Sequence, residues 1–291
     1  MILDPSTKSN LQSRKRLDSL FRILCLVAAS LGILILIIFI SKIVIDGIQH
    51  VSWKFITSEL SQRAKRTGIW PAIVGSLYVM VLTTAISVPI GVASAIYLQE
   101  FATRKSRFIS IIQLNIANLS GVPSIVYGLL GRFLFVYFFG FKQSIIAGAL
   151  TMSLLILPTV IIVTQEALKA VPKSYREGSM ALGSTQWQSI RLQVLPNAMS
   201  GILTGIILSI SRAIGETAPL IVVGAASYVS SLPKGLGDTY TVLPIKIFDW
   251  ANDSQEEFHK VAASAILILM VCLLFINSFA IYFRARAKAK K

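Results

Sequence analysis

Two uncharged runs constrain this chain more than any other feature. Ile23–Ser41 and Ile69–Gln99 contain no Asp, Glu, Lys or Arg. Segments of about 18 or more apolar residues suffice to cross the hydrocarbon core of a bilayer. Backbone groups find no water there, so only helices or closed barrels span it. Continuous apolar runs, unlike period-two alternation, select helices. Composition agrees: 54% of the 291 residues are hydrophobic and 14% are charged, against roughly 25% charged in a soluble domain. The sequence predicts an all-α membrane protein with six transmembrane helices, at 20–46, 70–98, 108–139, 144–168, 196–224 and 260–283. Gly201 and Gly205 form a GxxxG in the fifth, a spacing that lets another helix pack closely.

The net charge of +15 follows from topology and implies no nucleic-acid partner, because the basic residues lie mainly between and beyond the apolar runs. Arg14, Lys15, Arg16 and Arg22 precede the first span, and Arg104, Lys105 and Arg107 follow the second. Lys169, Lys173, Arg176 and Arg191 follow the fourth, and Arg284–Lys291 forms a basic tail. This bias puts both termini in the cytoplasm, with membrane lipid around the spans. The first outer loop, with Arg63, Lys65 and Arg66, is the exception. The first apolar run is too long for a signal-peptide core and no small-residue cleavage site follows, so it reads as a retained span. Cys25 and Cys272 lie inside spans and imply neither a disulfide nor a metal site.

Residues 169–195 are too polar to span. Pro172 helps to end the fourth helix. Ser174-Tyr-Arg-Glu177 fits a capping box, Gly183 suits a helix stop, and Thr185-Gln-Trp-Gln188 fits a second box. The expected result is two short helices joined by a glycine, the second with Trp187, Ile190 and Val194 on its apolar face and Arg191 on its polar edge. Pro196 then opens span five. An amphipathic helix lying on the membrane interface is the alternative. Glu177-Gly178-Ser179, then Gly183, then Leu195-Pro196 resembles the EAA loop of ABC importer permeases, with Gly178 and Ser179 in place of its two alanines and Gln193 at its isoleucine position. The resemblance implies a type I ABC importer permease fold with a cytoplasmic coupling helix. It implies that Ser174, Arg176, Glu177, Gly178, Ser179, Leu182, Gly183, Leu195 and Pro196 belong to the loop that docks on an ATP-hydrolysing subunit.

Charge inside the membrane marks function. A charged side chain at the bilayer centre costs about 2.5–3.5 kcal/mol on insertion scales. Arg212 and Glu216, four apart in span five, share a helix face and pair; the pair is either functional or a structural clamp. Pro219 cannot donate to the carbonyl of Gly215 and opens the helix beside them. Ser209 and Thr217 lie in the same stretch. In span three, Asn115 and Asn118 share a face ahead of Ser120-Gly-Val-Pro-Ser124. Pro123 frees the carbonyl of Leu119, and a half-helix beginning near Ser124 aims N–H groups at an anion. Arg132 is either a further anion contact or a side chain snorkelling to the outer surface. Pro89 and Pro158 read as simple kinks.

Gly121-Val-Pro-Ser-Ile-Val-Tyr-Gly128 and Arg212-Ala-Ile-Gly-Glu-Thr-Ala-Pro219 resemble the signatures of phosphate-specific ABC permeases. Gly68–Leu77, the stretch from Asp238 to Trp250, and Gln255–His259 are similar to the A-type subunits of that family rather than the C-type. The likeness covers roughly residues 68–283. It implies a chain of three parts: 1–69 with the N-terminal tail, first span and outer loop, 70–283 as the permease domain, and 284–291 as a basic tail. It implies a permease of the cell inner membrane that pairs with a C-type permease, two ATPase subunits holding ATP and Mg, and a periplasmic phosphate-binding protein. No cofactor is expected in this chain, which has no GxxxxGK[ST] of its own. It also implies that Arg212 and Glu216 matter for transport by alternating access. Physics alone leaves open a permease for sulfate or molybdate, or a passive anion channel. An intramembrane enzyme fits poorly, since His50 and His259 sit near span ends and no HExxH or GxSxG occurs.

Overall fold

The computed structural model describes residues 5–102, 106–225, 229 and 232–289. Arg104, Lys105, Lys290 and Lys291 lie outside them. All regular structure among the described residues is helical. Helix α1 (Pro5–Ile48) is followed by the short α2 (Trp53–Thr57), capped by Ser52, whose hydroxyl accepts from the Phe55 N–H at 3.1 Å. A 3₁₀ turn at Ala64–Arg66 leads to α3 (Trp70–Ile96), which runs on through a π-helical turn at Tyr97–Phe101. Then come α4 (Arg107–Ser120), α5 (Ser124–Gly131) with a π segment at Arg132–Phe138, and α6 (Ile145–Lys169). Helix α7 (Lys173–Ala181) precedes α8 (Gln186–Ser189), which passes through a π turn at Ile190–Val194 into α9 (Leu195–Ile214). Helices α10 (Ala218–Val223), α11 (Leu243–Ala251) and α12 (Glu256–Ala289) complete the chain.

Among the described residues, five helices are long and apolar enough to cross a membrane: Leu17–Ile48, Trp70–Phe101, Ile145–Lys169, Gln186–Ile214 and Glu256–Phe279. The third expected span, 108–139, is not a straight helix. Arg107–Ser120 and Ser124–Phe138 meet at 103°, because Pro123 cannot continue the turn begun by α4. The pair still makes one net crossing. The ends of α3 and α6 both reach Arg176, through Glu100 and through the Leu168 and Val171 carbonyls. At the opposite end, the Leu243 N–H meets Ser76 near the start of α3, and Ile145 at the start of α6 donates to the Asp238 carbonyl. Helices α3 and α6 therefore run parallel, and residues 107–138 carry the chain back between them. The Ser264 hydroxyl bonds the Gly47 carbonyl at 2.7 Å, joining the end of α1 to the early turns of α12. The start of α1 and the end of α12 thus lie toward the α7 end of the bundle.

Helix α6 is the centre of the core. Thr151, Met152, Val160, Thr164 and Leu168 are buried along it. Thr83 of α3 donates to the Ala149 carbonyl at 3.2 Å. On its other side α6 meets the GxxxG of α9: a Cβ on Gly201 would lie 3.0 Å from the Ala167 Cβ, and one on Gly205 2.6 Å from the Val163 Cβ. Pro89 and Pro158 sit inside unbroken helices. A second cluster, with Phe55, Leu60, Ile69, Trp250 and Phe258, closes the end opposite α7.

The fifth span differs from expectation at both ends. It starts at Gln186 rather than Pro196, so the second short helix of the 169–195 segment is the first turn of the span itself. The wider π turn at Ile190–Val194 precedes Pro196 and removes the clash a proline ring makes with a regular preceding turn. The span stops at Ile214 rather than 224, because Gly215 caps it and Pro219 begins a separate helix.

Candidate functional site

The breaks in the third and fifth spans lie side by side. A cavity of about 340 Å³ is lined by Leu119–Ser124 and Tyr127 from the first break, and by Ser209, Arg212, Ala213 and Glu216 from the second. Leu155, Ile156 and Thr159 of α6 close it from the core side. Thr159 is near the middle of α6, so the cavity sits midway through the bundle.

Each break has a local cause. Gly121 ends α4, its N–H bonding the Asn118 carbonyl at 3.0 Å, and Pro123 precedes the first turn of α5. The Leu119 carbonyl receives the Val122 N–H at 3.1 Å and the Tyr127 hydroxyl at 2.8 Å. Tyr127 thus ties the new half-helix to the old one. Gly215 and Glu216 bond back to the Arg212 and Ala213 carbonyls at 3.2 and 3.1 Å, closing α9. Helices α5 and α10 then touch at Gly128, where a Cβ would lie 2.8 Å from the Pro219 Cα. Only a glycine permits that approach.

Arg212 and Glu216 are the charged residues lining the cavity. Arg212 Nε stands 3.9 Å from Glu216 Oε1, too far for a hydrogen bond. The Arg212 side chain is 76% exposed and that of Glu216 22%. The guanidinium lies in the last turn of α9, where the helix dipole favours a cation. Ser120, Ser124 and Thr159 add hydroxyls to the wall, and the first turn of α5 begins there. A cation, hydroxyls and a helix N-terminus around one mid-bundle cavity suit an oxyanion.

Of the expected pathway residues, Arg212, Glu216, Ser209 and Ser124 line this cavity. Ser209 is buried and donates to the Gly205 carbonyl at 2.8 Å. Thr217, Asn118 and Arg132 do not line it. Thr217 precedes α10, its carbonyl accepting from Ile221. Asn118 faces outward on α4. Arg132 points elsewhere: it donates to the Val222 carbonyl and the Tyr137 hydroxyl, each at 3.2 Å, and lies over the Tyr137 ring. Of the two expectations for Arg132, anion contact or snorkelling, the structure shows neither: its guanidinium bridges α5 and α10. Tyr127 and Thr159 escaped sequence reasoning, although Tyr127 stands in the quoted motif and Thr159 beside Pro158.

The 169–195 segment forms a second assembly. Gly183 has φ +86°, and the Gly183 and Ser184 N–H groups bond back to Met180 and Ser179, a glycine-dependent helix stop. The Thr185–Gln188 capping box is present. The Ser174–Glu177 box is not: Pro172 occupies the N-cap position, and Ser174 falls inside the first turn, where its hydroxyl has no capping geometry. Ile190 and Val194 are buried, but Trp187 is half-exposed against Phe101, ring centroids 6.3 Å apart. Ser174, Glu177, Gly178 and Leu182 are exposed. Arg176 and Ser179 are half-buried, as are Leu195 and Pro196 at the start of α9. Arg176 makes a two-pronged ion pair with Glu100, a residue the sequence did not single out.

Residues 87–289 match the family described as "Binding-protein-dependent transport system inner membrane component". The chain belongs to this family. The "Probable ABC transporter permease protein YqgI" of Bacillus subtilis (strain 168) is 34% identical over 209 residues, 72% of this chain and 71% of the relative. The "Phosphate transport system permease protein PstA 2" of Mycobacterium tuberculosis (strain CDC 1551 / Oshkosh) is 32% identical over 280 residues, 94% and 91% of the two chains. Among solved structures, a chain of the bacterial alginate ABC transporter in complex with its pentasaccharide-bound periplasmic protein superposes with TM-score 0.69 at 16% identity, covering 94% of this chain and 96% of that one. A chain of the inward-facing MetNI methionine transporter gives 0.60 at 15%, covering 76% and 94%. These two establish the fold alone. The chain is an ABC importer permease subunit, a multi-pass membrane protein with the type I permease fold, and such subunits are permeases rather than enzymes.

Proposed function

We propose that this permease is the A-type subunit of an ATP-driven phosphate importer and supplies half of the translocation pathway. The observation that carries the reading is the exposed Arg212 at the mid-bundle cavity. A guanidinium at that depth is too costly to leave against lipid. It faces either water or another protein, and a second permease closing over the cavity supplies both a wall and a path. Phosphate then exchanges contacts with Arg212 as Glu216 releases or recaptures the guanidinium, while Ser124 and Ser209 line the route. The PstA name of a relative matched over nearly its whole length supports phosphate among the oxyanions.

In this reading a C-type permease is the other half, and two ATPase subunits bind ATP and Mg. A periplasmic phosphate-binding protein delivers the ion. The 169–195 segment is the coupling loop: its exposed residues, Glu177 and Leu182 among them, meet the ATPase, and both termini are cytoplasmic. A capped helix continuous with a span transmits rigid-body motion, which a slack loop would not.

The test is uptake of labelled phosphate into vesicles carrying this chain with its partner subunits, with sulfate as competitor. Uptake that needs ATP, resists sulfate and is largely lost in Arg212→Ala at normal membrane levels is the expected result. Flux without ATP would indicate a channel, and ATP-driven sulfate uptake would change the substrate.

A further inference from the structure

We propose that Glu100 is a positioning residue that locks the coupling loop to the second and fourth spans. The inference rests on the coupling-loop reading above. Glu100 sits in the π turn at the end of α3, and its side chain is 7% exposed. Arg176 of α7, 19% exposed, meets both of its oxygens: Nε to Oε2 at 2.9 Å and Nη2 to Oε1 at 2.6 Å. The same guanidinium donates to the Val171 carbonyl through Nη1 and to the Leu168 carbonyl through Nη2, each at 2.9 Å. These carbonyls belong to the last turn of α6 and to the link that follows it. The other half of the loop meets the same residue, since the Gln186 side-chain amide of α8 donates to the Glu100 carbonyl. Phe101 packs beside Trp187.

One carboxylate thus holds one guanidinium that gathers the ends of α3, α6 and α7. A surface ion pair would be loose and easily screened. A forked pair, with the carboxylate buried and the guanidinium largely so, is held in a single geometry. Movement of α7 therefore carries the ends of the second and fourth spans with it, while the fifth span moves through its own continuity with α8. Without the Glu100 charge, Arg176 has no anchor on the second span and α7 rotates independently of it. ATP is then hydrolysed without a matched movement of the cavity.

The experiment uses the whole importer in proteoliposomes and reads ATP hydrolysed per phosphate taken up, together with the ATPase subunits that co-purify. Glu100→Gln is expected to retain the ATPase subunits and its ATP hydrolysis, and to raise the ratio about fivefold or more, as loss of an ordinary coupling free energy would. Glu100→Asp, which restores the charge on a shorter arm, is expected to recover part of the coupling. Arg176→Lys, which keeps the charge and loses the fork, is expected to raise the ratio too and covers the case in which Glu100→Gln does not reach the membrane. A normal ratio in Glu100→Gln, or in Arg176→Lys where Glu100→Gln is not made, would overturn the proposal, as would loss of the ATPase subunits in either variant. Glu177→Arg separates the two readings. If it leaves ATPase binding and the ratio unchanged, the coupling loop itself has been misassigned. If it disturbs them while Glu100→Gln does not, only the role of Glu100 fails.

Discussion

Arg176 and Arg212 each face a glutamate, yet burial makes them different devices. The forked, enclosed pair of Arg176 is a joint. The 3.9 Å pair of Arg212, open to the cavity, leaves the cation available to an ion. Lys246 of α11 shows a third outcome. It is buried, 3.4 Å from Asp249 Oδ2 and 5.2 Å from the Trp250 ring centre. Burial pushes its ammonium below the ordinary 10.5, with Asp249 and Asp253 opposing the shift. A lysine whose pKa is lower folded than unfolded costs stability while both states are protonated. Between the two values the unfolded chain binds the extra proton, so stability rises with pH there. Thermal unfolding of the solubilised chain should therefore shift upward as pH climbs through the interval just below 10.5, and Lys246→Met should flatten that rise.

At the scale of elements, the site is made by helices that stop. Helices α4 and α9 end at glycines, and their successors α5 and α10 pack at Gly128. Gly128→Ala would put a Cβ 2.8 Å from the Pro219 Cα and 2.9 Å from the Val222 Cβ. The two half-helices must part, at a cost of about 1–3 kcal/mol, and the part of the cavity wall that α5 supplies through Ser124 and Tyr127 shifts. A lower melting temperature and reduced uptake are expected. Gly178→Ala is the contrast. Nothing lies within 4 Å of its would-be Cβ in the exposed α7, and alanine favours a helix by about 0.5–1 kcal/mol. That variant should melt no lower than the parent.

For the molecule as a whole, the crossing number decides sidedness. Five straight spans alone would leave the start of α1 and the end of α12 on opposite faces; the bent pair, by carrying the chain back between parallel α3 and α6, brings these two helix ends to one. With Cys25 and Cys272 replaced by serine, Ser9→Cys and Lys288→Cys should resist an impermeant maleimide in intact cells and react in inverted vesicles. Arg63→Cys should do the reverse. Labelling of one terminus only in intact cells would make the bent pair a re-entrant loop.

Much of this was legible locally. The uncharged runs dictated spanning helices, and Pro123 and Pro219 marked where they open, although the stop at Gly215 was not read. Thr185 and Gly183 marked the ends of the loop helices. Such signals act within one or two turns, so neighbours in sequence suffice to read them. Packing decided the rest. Arg132 is satisfied by a carbonyl 90 residues away, and Arg176 by a carboxylate 76 residues away. Ser174 lost its cap because Pro172 took the position. Whether a charge becomes a joint, a bridge or an ion contact depends on which helix end lies opposite it. That is settled by the parallel course of α3 and α6 and the meeting of two broken spans, which no local pattern encodes.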